Sequence, residues 1–131
     1  MIDINLESKV IQRFIVTNKQ DRYLTFIKKE KTRHKFVNEL AHFSSQLKDF
    51  EEIKGNEWKA IENALANLGN PNDCYVISES SRMDGKRMSI KEAPTEVIGN
   101  GMGTLLVFGD ASQVYYEGEG PGDRWISKKK L

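Results

Sequence analysis

The apolar residues of this 131-residue chain change their spacing at one point, and that change restricts the fold more than any other feature. The break is Gly69-Asn70-Pro71-Asn72-Asp73, a run of turn-formers interrupted by a proline. Before it, hydrophobic residues recur at helical intervals. After it they gather in short runs with β-branched and aromatic members. A chain patterned this way folds as an α+β protein, in which N-terminal helices pack on a small, mostly antiparallel sheet.

The first half (1–69) reads as helices. Leu6, Val10, Ile11, Phe14 and Ile15 form one stripe on a helix of about three turns. Thr17 and Gln20 have capping-box spacing, which starts a second helix carrying Tyr23, Leu24 and Ile27. Phe36, Leu40, Phe43 and Leu47, with Val37 and Ala41 beside them, define a third. Asn56 is placed to cap a fourth, whose face is Trp58, Ile61, Leu65 and Leu68 and whose stop is Gly69. Phe50 and Ile53 fit a helical turn and a short strand equally well.

The second half (70–131) reads β-α-β-β-β. Cys74 to Ser78 is the first strand, and Asp84-Gly85 marks a turn. Ser89 and Glu92 also have capping-box spacing, but Pro94 would then fall where a helical amide is needed. A short helix with Pro94 in its first turn, ending before Gly99, fits better. Thr104–Phe108, Gln113–Glu117 and Arg124–Lys128 follow as three strands of an antiparallel meander. Four short strands do not stand alone, so the N-terminal helices must cover their apolar face. The expectation is one domain over 1–131, in two layers.

Charge and cysteine usage narrow the function classes. Twenty basic residues against nineteen acidic ones leave a formal charge of +1, so no bulk attraction draws the chain to nucleic acid or an anionic membrane. The single Cys74 forms no intramolecular disulfide, which argues against a stapled secreted scaffold. Met1-Ile2-Asp3-Ile4-Asn5 lacks the basic and apolar regions of a signal peptide. No stretch approaches the ~18 apolar residues of a membrane span. A cytoplasmic protein is expected.

Each chemical motif has a plainer reading beside it. The glycines of Gly99-Asn100-Gly101-Met102-Gly103 leave a helix and enter a strand, the reverse of the order that cradles phosphate. His34 and His42 lie eight residues apart, about 12 Å along a helix, so one metal ion does not bridge them. Cys74 opens a strand and fits a small buried hydrophobe better than a nucleophile. Glu117, Glu119 and Asp123 sit in a glycine-rich loop that reads as an acidic hairpin tip. If Tyr115, Trp125 and their neighbours lie on an open sheet face, they form an aromatic platform.

The strongest binding candidate is the basic run Lys28, Lys29, Lys31, Arg33 and Lys35, within a segment (19–35) of seven basic and two acidic residues. Such a run grips the phosphates of RNA or DNA, or simply keeps a helix junction solvated. No catalytic constellation, metal set or cofactor motif stands out. The sequence therefore reads as a non-catalytic interaction or regulatory protein of the inhibitor, immunity or adaptor type, whose partner is another protein. The alternatives are a nucleic-acid-binding accessory protein using residues 28–35 and a small enzyme with an unrecognised site. Arg82, Asp84 and Arg87 are the candidates for that last reading.

Overall fold

Asp3 starts the first helix by accepting the Leu6 amide on its side chain at 3.0 Å. In the computed structural model, which describes residues 2–54, 57–67, 69, 71–99, 101–120 and 122–128, that helix is α1 (Ile4–Phe14). It is followed by α2 (Thr17–Ile27), α3 (Glu30–Val37), two 3-10 turns (Asn38–His42 and Ser44–Gln46), β1 (Phe50–Glu52) and α4 (Glu57–Asn67). The second half supplies β2 (Asp73–Ser78), β3 (Arg87–Ser89), α5 (Ala93–Val97), β4 (Thr104–Phe108), β5 (Gln113–Glu117) and β6 (Arg124–Ser127). The strands form one antiparallel sheet in the order β1-β6-β5-β4-β2-β3. The α+β expectation is met.

Several details differ from the sequence reading. α2 begins at Thr17, but Gln20 turns back to accepting carbonyls on Ile15 (2.9 Å) and Gln12 (3.3 Å) and closes no box. The single helix expected around Phe36 to Leu47 is α3 followed by 3-10 turns. Tertiary contacts set that break. The Tyr116 hydroxyl donates to the Leu40 carbonyl at 2.6 Å and accepts the Phe43 amide at 3.0 Å. Gly103 lies so close that a Cβ there would stand 2.2 Å from the Leu40 carbonyl carbon, so only glycine fits. Phe50 belongs to a strand, and β3 adds a hairpin after the Asp84-Gly85 turn. Pro94 lies in the first turn of α5, as expected. The proposed cap at Asn56 and the contact at Leu68 lie outside the described residues.

The two-layer expectation is corrected: helices cover both faces of the sheet. Tyr75, Ile77, Leu105, Val107, Val114 and Tyr116 face α1–α3 and share a core with Val10, Phe14, Tyr23, Phe36 and Phe43. The alternate residues Cys74, Val76, Leu106, Phe108, Tyr115 and Ile126 form a second core with Ile61 of α4 and Ala93 and Val97 of α5. Strict alternation along each strand assigns these two sets. The aromatic platform is therefore absent: Tyr115 is fully buried, and Trp125 packs against the opposite core.

Candidate functional site

The basic run divides in the structure. Lys28 and Lys29 form the junction between α2 and α3, while Lys31 and Lys35 lie on α3. All four are exposed. Arg33 is not: only 8% of it reaches solvent, because it lies on the inward face of α3 with Phe36 and Val37. Of the five residues singled out in the sequence, four are exposed and Arg33 is turned inward.

Inside, Arg33 bridges two carboxylates. Its Nε and Nη2 donate to Glu7 of α1 at 3.0 and 2.6 Å, and Nη2 also donates to Asp84 at 2.9 Å. Nη1 donates to the other Asp84 oxygen at 2.5 Å. Glu7 is fully buried and takes a third donor, the Tyr75 hydroxyl of β2, at 2.6 Å. Asp84 also accepts the Ser78 amide at 3.1 Å. Burial opposes the charge on Arg33, yet its bonds to Asp84 and Glu7 prevail and hold its pKa above the usual guanidinium value. The cluster ties α1, α3, β2 and the β2–β3 turn together. Every carboxylate in it is engaged by protein donors, which is the chemistry of a structural tie.

The other candidates resolve in the same direction. Arg82, Asp84 and Arg87 do not converge: Arg82 pairs with Glu96 at 3.1 Å, Arg87 with Asp3 at 3.5 Å, and Asp84 with Arg33. The glycine-rich segment has two amides already committed, Gly99 to the Glu117 carboxylate (2.8 Å) and Gly103 to that of Glu79 (2.7 Å). Glu117 is buried and also accepts the Tyr115 hydroxyl and Arg124 Nε, so the expected acidic hairpin tip loses one of its carboxylates to the interior. Asp123 accepts the Trp125 indole at 2.8 Å. Cys74 is buried, and burial pushes its thiol up to about 12, which keeps it protonated and inert at neutral pH. His34 and His42 are both exposed. Among the described residues no group of three or more potential ligands is placed to hold a metal ion. No helix among them is long and apolar enough to cross a membrane.

Four exposed cations of the basic run remain. Among the described residues, Lys28, Lys29, Lys31 and Lys35 form no ion pair. Lys35 and Arg22 flank the half-buried ring of Phe26, at 5.7 and 5.4 Å from its centroid. Arg22 is in turn drawn toward Glu39 at 3.5 Å. Asp21 and Glu30 are the acidic residues within this stretch.

No family model, curated protein or solved structure matches this chain.

Proposed function

We propose that this chain is a non-catalytic interaction protein that binds another protein through Lys28, Lys29, Lys31 and Lys35. One observation carries the reading: these lysines are exposed without an ion pair among the described residues, while Glu7, Arg33, Asp84, Glu117 and Arg124 are paired inside. Four unneutralised ammoniums on one helical corner favour an acidic surface. A protein surface fits better than nucleic acid for two reasons. The net charge of +1 gives no long-range pull toward a polyanion. The arginines of the corner are also committed elsewhere, Arg33 inside and Arg22 between Phe26 and Glu39, and the Phe26 ring that bases would stack on is flanked by two cations.

Affinity capture with the full chain, beside a variant in which the four lysines are replaced by glutamate, tests this. The expected result is a bound protein that survives nuclease treatment and is lost with the variant. Equal recovery by both chains would contradict it. Nuclease-sensitive binding would instead favour the nucleic-acid reading. In that case affinity for a random duplex should fall with salt at a log–log slope of about −3.6, four phosphate contacts' worth.

A further inference from the structure

Among the described residues, β3 is the last strand at this end of the sheet. The hydrogen bonds from Val76 N–H to Lys86 C=O (2.9 Å) and from Ile90 N–H to Asn72 C=O (2.9 Å) fix which residues face β2. By the alternation of an antiparallel pair, Arg87 and Ser89 turn their backbone groups the other way. The Ser89 carbonyl is taken by the Glu92 amide at 3.1 Å. That leaves the Arg87 N–H, the Arg87 C=O and the Ser89 N–H directed off the sheet. Such an edge is a template for another strand unless something blunts it.

Beside this edge lies a depression of about 450 Å³, lined by Ile2, Asp3, Ile4, Asn5, Tyr75 and Arg87. Its position follows from how the N-terminal segment is seated. The Asp3 amide donates to the Tyr75 hydroxyl at 3.0 Å, and Ile2 packs over Gly85, where a Cβ would stand 2.4 Å from Ile2 Cδ1. Three large apolar side chains are exposed among the described residues, and two of them, Ile2 and Ile4, border this hollow. The charges differ between the two sheet faces. On the α1 face Arg87 is balanced by Asp3 at 3.5 Å, and Asp73 lies opposite Ser89. On the other face Lys86, paired with Val76, is exposed and makes no ion pair with a described residue.

We propose that the free edge of β3 takes up, by strand addition, an extended segment of a partner protein in which apolar and acidic residues alternate. The apolar residue crossing Arg87 settles against the exposed Ile2 and Ile4, beside the Arg87 guanidinium that lies 5.7 Å from the centroid of the buried Tyr75 ring. Its acidic neighbours, pointing to the opposite face, meet Lys86. The backbone of the segment pairs with Arg87 and the Ser89 amide. This site is separate from the four lysines of the α2–α3 corner and stands or falls independently of them.

The test uses the full isotope-labelled chain and two capped six-residue peptides, one alternating valine and glutamate, the other valine and lysine. The valine–glutamate peptide is expected to give saturable amide shifts centred on Arg87 and Ser89, at least tenfold tighter than its lysine counterpart. Lys86→Glu should reverse that preference. Arg87→Pro, which removes the outward donor at an edge where proline is tolerated, should abolish the response. The variant lacking the four corner lysines should keep it. The proposal is overturned if no shift appears at millimolar peptide, if shifts map to α2–α3, or if Lys86→Glu changes nothing. Concentration-dependent self-association through Arg87 without peptide would show a second copy on the edge and would also overturn it.

Discussion

Arg33→Ala should cost about 3–5 kcal/mol of folding stability, the usual result of orphaning a buried charge. The substitution leaves Glu7 fully buried with only the Tyr75 hydroxyl as donor, and strips Asp84 of its two guanidinium bonds. Against a total stability of about 5–15 kcal/mol, that is a large fraction. Arg33→Lys keeps the charge but loses the fork that spans both carboxylates, so it should fall between wild type and alanine. Pairing Arg33→Met with Glu7→Gln should recover part of the loss, because the orphaned charge goes with its partner. Chemical denaturation followed by circular dichroism reads all of these. One transition should persist in each, since α1–α3 and the sheet share one core. A loss below about 1 kcal/mol, within the range of exposed ion pairs, would contradict the account.

Alkali should unfold the protein in a steep step. Burial pushes the Cys74 thiol up to about 12 and raises the Tyr23, Tyr75 and Tyr116 hydroxyls above their ordinary range. Hydrogen bonds add to the effect at two of them, from Tyr23 to Glu39 at 2.7 Å and from Tyr75 to Glu7 at 2.6 Å. Groups whose pKa is raised in the fold stay protonated there while the unfolded chain releases its protons. The unfolded state then binds fewer protons, so stability falls as pH rises. The contribution is complete below the unfolded values, about 8.5 for a thiol and about 10 for a phenol. Above those values each group removes about 1.4 kcal/mol per pH unit. Four groups acting together exhaust a stability of about 5–15 kcal/mol between about pH 10.5 and pH 12.5. Tyrosinate absorbance should therefore appear together with the loss of circular dichroism. Gradual ionisation beginning near pH 10, with secondary structure intact, is the contrary result.

The sequence discloses the elements better than their arrangement. The stripe Leu6, Val10, Ile11, Phe14 marks α1 because the helical period is printed in the residues themselves. The strands Cys74–Ser78, Thr104–Phe108 and Gln113–Glu117 are legible for the same reason. The second helical layer is hinted at less directly. Runs such as Leu105-Leu106-Val107-Phe108 are apolar at every position, the mark of a strand covered on both faces. β3 escapes notice because Arg87-Met88-Ser89 has neither alternation nor β-branching; its place comes from pairing with β2. The site is harder still. Arg33 looks like one more member of a basic run. Only the angular position it shares with Phe36 and Val37 sends it inward, toward a Glu7 and an Asp84 that are 26 and 51 residues away. Spacing within a helix is local, but the partners that neutralise a charge are not. Exposed lysines and a buried arginine are thus indistinguishable until the tertiary contacts are known.

Amine acetylation of the chain, free and in complex with its captured partner, followed by mass spectrometry of each lysine, tests whether Lys28, Lys29, Lys31 and Lys35 form the proposed contact surface. Those four lysines are exposed and should react rapidly in the free chain, then become protected in the complex. Lys9, bound to Asp110 at 2.6 Å on another part of the molecule, should react alike in both states. Protection confined to other lysines, or spread evenly over the chain, would contradict the account.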